Sequence, residues 1–237
     1  MFSLFEFFHF LQRPQYQSLE RKNANILITA LKIYLLTFLV IGLISAINLT
    51  ILPIFLTLPV NETFEVPASL KEHLWIYFFL ATVFAPVTEE IIFRLSLLFN
   101  PVNLALSVST LISLIIHRFC NHLISIISFS LVFILIYALS SAYKSNLISF
   151  WNKNFKYIFY SLPILFGLVH ISNYKIIEAS QYFIALILIF PQLAIGFILS
   201  FTRVYYKRGF LICIIFHALM NMISVSISLL RYIPTGN

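Results

Sequence analysis

The feature that most constrains this chain is the recurrence of apolar segments of about 20 residues, the length of a helix that crosses a bilayer. Of its 237 residues, 61% are hydrophobic and 10% are charged, and the mean hydropathy is +0.98. Soluble domains carry about a quarter charged residues, so a soluble fold of this composition could not cover its surface with polar groups. The sequence therefore predicts an integral membrane protein.

The apolar segments predict an all-α fold, a polytopic bundle of about seven transmembrane helices preceded by an N-terminal interfacial helix. The predicted spans are residues 26–49, 73–99, 103–116, 123–142, 155–171, 182–202 and 210–230. Residues 50–70 contain three prolines and two glutamates, which favours an external loop or a re-entrant piece. We predict an interfacial or cytoplasmic segment at 1–25 and a single multi-pass membrane domain at 26–237.

A net charge of +7 would suggest a nucleic-acid partner in a soluble protein. Here the basic residues lie mainly in short loops, where they act as topology signals. One predicted side of the bundle collects Arg13, Arg21, Lys22, Lys144, Lys153, Lys156, Arg203, Lys207 and Arg208. This bias predicts a cytoplasmic N-terminus in a protein of the cell membrane, with the lipid bilayer and no nucleic acid among its partners.

Three groups of polar residues interrupt the apolar segments, and ionisable groups at membrane depth are candidates for function. They are Glu89, Glu90 and Arg94; Phe166 and His170; and His217 and Asn221. Each group contains a four-residue spacing, which places the paired side chains on one face of a helix.

The two glutamates of the first group have different predicted surroundings. Glu90 and Arg94 can form an ion pair four residues apart, which leaves Glu89, about 100° further around the helix, without a local partner. An unpaired buried carboxylate has a raised pKa, which suits a general base or acid.

The three groups together offer one Glu, two His and one Asn from three helices. Such a set could converge on a water molecule, or on a divalent metal ion such as zinc held by Glu89, His170 and His217. Simpler interpretations stay open, because adjacent Glu and Arg residues can form an interfacial charge cluster. A single histidine in an apolar helix often only bonds a neighbouring helix.

Missing motifs narrow the class of reaction. The chain has no HExxH, no aspartate, no GxSxG and no Walker A sequence. These absences argue against a helix-borne zinc protease, a paired-aspartate protease, a serine nucleophile elbow and an ATP-driven pump.

The three groups, in this order, resemble the CAAX prenyl endopeptidase and bacteriocin-processing family of intramembrane proteases, also called CPBP or Abi. The family's pattern is EExxxR, then FxxxH, then HxxxN, and here it spans a protease-like core at about 73–225. The resemblance implies an endopeptidase that hydrolyses a peptide bond of a membrane-associated protein or peptide by glutamate-activated water. It implies roles for four catalytic residues, with Glu89 activating the water, His170 assisting, and His217 and Asn221 holding the water or stabilising the oxyanion. The supporting residues would be Glu90, Arg94 and Phe166.

Two departures bear on this resemblance. His170 follows Glu89 by 81 positions, and the segment between them contains an extra pair of predicted spans, which preserves the direction of the chain. An unbroken helix from His73 would also place Glu89 and His170 at different depths, so we expect a break or tilt near Pro86. The alternative functions are a non-enzymatic immunity or scaffold protein and a proton-coupled transporter with Glu89 as its relay.

Overall fold

The computed structural model describes residues 4–16, 22–55, 73–173 and 181–229. Within these ranges the main elements are ten α-helices and no strand is formed, so the all-α prediction is confirmed. The helices are α1 (Leu4–Gln12), α2 (Ile26–Phe55), α3 (Leu74–Phe79), α4 (Ala85–Phe93), α5 (Pro101–His117), α6 (His122–Ala142), α7 (Lys144–Val169), α8 (Gln181–Leu188), α9 (Phe190–Tyr205) and α10 (Gly209–Leu229).

Five helical segments of the described ranges are long and apolar enough to cross a membrane. They are Ile26–Ile44, Leu74–Leu97, His122–Ala142, Lys144–Asn173 and Gly209–Ile227, and α5 is a shorter apolar helix. This agrees with an integral membrane bundle, although fewer spans meet the length criterion than the seven that the sequence suggests.

Three predicted boundaries differ from the structure. The span predicted at 182–202 is two helices, α8 and α9, because Pro191 lacks the N–H that would continue the hydrogen bonding of α8. Helix α7 begins at Lys144 rather than at 155, since its polar first half is also helical. Helix α2 runs on to Phe55, so the first part of the predicted loop 50–70 is helical, and the rest lies outside the described residues.

The core of the bundle surrounds α9. From Ile198 to Tyr205 every side chain is buried, which requires neighbours on all sides of the helix. Helix α1 supplies Phe7, whose ring centroid lies 5.4 Å from that of Phe201. Helices α2, α7 and α10 complete the enclosure, with buried residues such as Ile33, Phe159 and Phe216. The C-terminal end of α9 is therefore an interior position, not a loop.

The extra pair of helices is the α5–α6 hairpin. Ser113 Oγ donates to the Ser125 carbonyl oxygen across the hairpin at 2.9 Å. Ser107 Oγ joins α5 to α4 by donating to the Ile91 carbonyl oxygen at 2.6 Å. Asn100 caps α5, since its side chain accepts a hydrogen bond from the N–H of Val102. The hairpin thus braces α4 from one side and returns the chain to the start of α7.

A prediction on stability follows from the turn between α9 and α10. A Cβ atom at Gly209 would lie 2.3 Å from the Thr202 carbonyl oxygen and 2.8 Å from Arg203 Cα, and these are backbone atoms. We expect Gly209→Ala to cost about 1–3 kcal/mol of stability, because the backbone must move to admit the methyl group. Thermal unfolding in detergent measures this.

The control is Gly42→Ala on α2, where an added Cβ meets nothing within 4 Å. Alanine is the better helix former, so this variant should be neutral or slightly more stable. Equal melting temperatures for the two variants would contradict the packing described for the turn.

Candidate active site

The two glutamates follow a π-helical turn in the helix that carries them. Between α3 and α4, residues Leu80–Phe84 form a π-helical turn, in which the Ala85 N–H donates to the Leu80 carbonyl five residues back. Pro86 follows directly, at the start of α4. π turns of this kind occur mostly as single-turn insertions in α-helices, and they are frequent at functional sites. Where we expected a break or tilt, the helix changes its hydrogen-bonding register directly before Pro86 and continues as one helical segment, Leu74–Leu97.

Glu90 is the buried centre of the site. Its Oε1 atom lies 2.8 Å from His217 Nδ1 and 3.3 Å from Arg94 Nη1. Both Glu90 and Arg94 are fully shielded from solvent. A carboxylate and a guanidinium in this position each require the other, because an isolated buried charge is strongly unfavourable. The predicted i, i+4 pair is formed, and α10 is attached to it through His217.

Aromatic packing supports the Arg94 guanidinium on its other face. Its Cζ lies 3.9 Å from the ring centroid of Phe166, within the range of a cation–π interaction. The three guanidinium nitrogens are buried and make no hydrogen bond of good geometry within the described part of the chain. The positive charge of Arg94 is therefore stabilised by the Glu90 carboxylate and by the Phe166 ring. Phe166 thus supports the site although it has no polar group.

Glu89 is placed differently from Glu90. Its side chain is 30% exposed, and its Oε2 atom lies 3.7 Å from His217 Nε2, slightly longer than a direct hydrogen bond. His217 thus stands between the two glutamates, with one ring nitrogen directed to each. Glu90 is occupied by its two partners, whereas the Glu89 carboxylate opens into a cavity.

The cavity has a volume of about 310 Å³. Its lining brings together the four residues for which the resemblance implied catalytic roles, Glu89, His170, His217 and Asn221. Phe166 also lines it, while Glu90 and Arg94 lie behind its wall. The 81-residue separation and the expected difference in depth between Glu89 and His170 do not keep these side chains apart.

The hydrogen bonds assign a tautomer to each histidine. His170 Nδ1 lies 2.7 Å from the Phe166 carbonyl oxygen, which can only accept, so Nδ1 carries the proton. The same reasoning applies to His217 Nδ1 beside the ion-paired Glu90. In both residues Nε2 is therefore the nitrogen that remains for chemistry.

Asn221 makes a contact that the sequence did not suggest. Its Nδ2 donates to the carbonyl oxygen of Ala81, in the π turn, at 2.9 Å. The amide that the resemblance assigned to the water or the oxyanion therefore has one N–H committed to the backbone.

Arg203 is a residue of the site that sequence reasoning missed. It was assigned to the cytoplasmic loops as a topology signal, but it is only 7% exposed. Its Nε donates to the Arg94 carbonyl oxygen at 3.2 Å and so joins the C-terminal end of α4 to α9. One feature of the sequence could have indicated that Arg203 is buried. It lies in the mostly apolar sequence of α9 and is followed by Val204 and Tyr205. The other basic residues of this region, Lys207 and Arg208, lie next to each other in a polar turn.

The metal prediction gains no support from this arrangement. Among the described residues, no group of three or more His, Cys, Asp or Glu side chains is placed to hold a metal ion. Zinc at Glu89, His170 and His217 therefore stays a prediction, and we derive no step of the chemistry from it.

The fold and site together define a class of protein. It is a polytopic helical membrane protein in which a buried Glu–Arg–His cluster backs a cavity that a second glutamate and a second histidine line.

Comparison with known families identifies the class more closely. Residues 71–223 match the family described as type II CAAX prenyl endopeptidase Rce1-like. The match covers nearly two thirds of the 237 residues, so the chain belongs to this family of CAAX-type intramembrane proteases, and the resemblance of its three motifs is confirmed. Comparison with curated proteins gives no match, and neither does comparison with solved structures.

The buried ion pair generates a testable prediction. We expect Glu90→Gln and Arg94→Met each to cost about 3–5 kcal/mol, because each leaves a buried charge without its partner. The double variant removes both charges and should lose less than the sum of the two single losses. Denaturant unfolding in detergent measures the cycle.

Glu6→Gln serves as the control. Glu6 pairs with Lys22 at 2.8 Å, but both side chains are partly exposed, so its loss should change stability far less than the loss of either buried charge. Strictly additive losses for Glu90 and Arg94 would refute the described dependence of each charge on the other.

Proposed function

We propose that this protein hydrolyses a peptide bond of a membrane-associated protein or peptide, with Glu89 as the general base that activates a water molecule. The observation that carries this proposal is the unequal setting of the two glutamates. Glu90 is enclosed by Arg94 and His217, whereas Glu89 faces the cavity beside His217 Nε2. A base must reach the proton that it removes, and only Glu89 has that access.

In the proposed step, the Glu89 carboxylate removes a proton from water as the oxygen adds to the peptide carbonyl carbon. The carbonyl π electrons move to its oxygen and give a tetrahedral oxyanion. When the intermediate collapses, the C–N bond breaks and the proton on Glu89 passes to the departing nitrogen. Glu89 is then again a carboxylate, the products are a carboxylic acid and an amine, and the atoms and charges balance.

The two histidines assist through Nε2. His170 Nε2 accepts a hydrogen bond from the water and so orients it, because Nδ1 is held by the Phe166 carbonyl. His217 Nδ1 donates to Glu90, which leaves Nε2 facing the cavity, and when Nε2 carries a proton it donates toward the oxyanion. Donors aimed at a developing oxyanion are among the largest contributions to catalysis in a site that excludes water.

The apolar part of the cavity favours a substrate segment with apolar side chains. Ala81, Ala85, Ile195, Met220 and Val225 line it beside the polar residues. The name of the family points to proteins with a C-terminal CAAX sequence that carry a prenyl group. We propose that the substrate is such a membrane-bound protein and that the enzyme lies in the cell membrane with a cytoplasmic N-terminus.

The direct test replaces Glu89. We expect Glu89→Gln to lower cleavage of a prenylated CAAX reporter peptide by about 10²–10⁴-fold, because glutamine cannot accept the proton of water. The variant should keep the melting temperature of the parent, since Glu89 is not part of the buried ion pair. Cleavage is measured in proteoliposomes by mass spectrometry of the released peptide.

His122→Ala is the matched control, because His122 lies at the start of α6 and is not among the residues that line the cavity. It should cleave at the parent rate. Full activity of Glu89→Gln would reject the proposed base and favour the non-enzymatic scaffold role. Proton transport that Glu89→Gln abolishes in sealed vesicles, without any cleavage by the parent, would favour a transporter.

A further inference from the structure

The contact between Asn221 and the π turn joins two elements that are distant in sequence. Asn221 lies in α10 and Ala81 in the segment between α3 and α4, 140 residues apart. The side chain of Asn221 is partly buried, and it lies one helical turn after His217, on the same face of α10.

The Ala81 carbonyl needs an external donor because of the local sequence. In an α-helix its partner would be the N–H of Ala85, but that N–H donates to the Leu80 carbonyl instead. In the five-residue register of the π turn, the partner of Ala81 would be residue 86. That residue is Pro86, which has no N–H. A backbone carbonyl left unpaired in a membrane interior is costly, and side chains of neighbouring helices commonly satisfy it.

We propose that Asn221 is a positioning residue, whose amide binds the Ala81 carbonyl freed by the π turn and Pro86 and thereby fixes Glu89 relative to His217. The effect on catalysis rests on the proposed function, whereas the hydrogen bond does not. This role differs from direct contact with the water or the oxyanion, because the amide acts on the backbone that carries the base.

Two attachments between the same segments explain why such a bond would matter. Glu90 binds His217, and the Ala81 carbonyl binds Asn221, so α4 and its preceding turn are joined to α10 at two points. Hydrogen bonds from α5 and α9 also hold α4, whereas these two attach its segment to α10. Loss of the Asn221 bond would therefore loosen the orientation of the Glu89 carboxylate relative to α10. Glu89 Oε2 and His217 Nε2 are 3.7 Å apart, so a small rotation would separate the base from its neighbour.

The first experiment observes the hydrogen bond without using activity. Ala81–Thr82 is the only Ala–Thr pair in the chain, so labelling with carbonyl-¹³C alanine and ¹⁵N threonine gives one correlated NMR signal for the Ala81 carbonyl. In the full-length protein in nanodiscs, Asn221→Leu should move this carbonyl resonance upfield, since leucine has the same shape but no donor. Ser226→Ala, an exposed position on α10, is the control and should leave the resonance in place. An unchanged resonance in Asn221→Leu overturns the proposal.

The second experiment separates positioning from direct contact with the reacting atoms. Pro86→Ala restores an N–H that can bind the Ala81 carbonyl in the π register, so it should make Asn221 partly dispensable. We expect Asn221→Leu to lower kcat by about a hundredfold in the parent, the scale of a misplacement of about 1 Å, and by less than about tenfold in the Pro86→Ala background.

Equal losses in both backgrounds would mean that Asn221 acts on the substrate and not through Ala81, and would overturn the positioning role. If the parent itself cleaves no peptide, the proposed function fails, and the carbonyl resonance still decides whether Asn221 binds the π turn.

Discussion

The buried ion pair between Glu90 and Arg94 is the interaction on which the rest of the site depends. Both side chains are fully shielded, and their charged atoms approach to 3.3 Å. Glu90 can accept the Nδ1–H of His217 because Arg94 compensates its charge, and that bond orients the His217 ring toward the cavity. The Arg94 backbone also accepts from Arg203, so one pair connects α4, α9 and α10.

The sequence predicted those parts of the site that depend on spacing within a helix. The i, i+4 relation of Glu90 and Arg94 was sufficient to separate the two glutamates, and apolar segments of the right length predicted the membrane helices. It could not predict that His217 binds Glu90, because 127 residues separate them and only the packing of α10 against α4 brings them together. The domain boundaries and the catalytic roles of the cavity residues stay predictions.

Arg203 and Asn221 show why the other contacts of the site could not be predicted from the sequence. A basic residue at the end of an apolar helix normally marks the cytoplasmic surface, yet α1 packs over that end of α9 and buries it. The role of Asn221 depends on a change of hydrogen-bond register before Pro86. The sequence shows the proline, but it does not show which carbonyl lacks a backbone partner. That depends on the π turn before Pro86, which forms only in the folded protein.

The claim that Glu89 activates water can be tested most directly by a single turnover in H₂¹⁸O, with mass spectrometry of both the product and the enzyme. A general base leaves the label in the new carboxylate of the cleaved peptide and none in the Glu89 side chain. Label in Glu89 after one turnover would instead mean that its carboxylate attacks the peptide as a nucleophile, and would contradict the account given for this site.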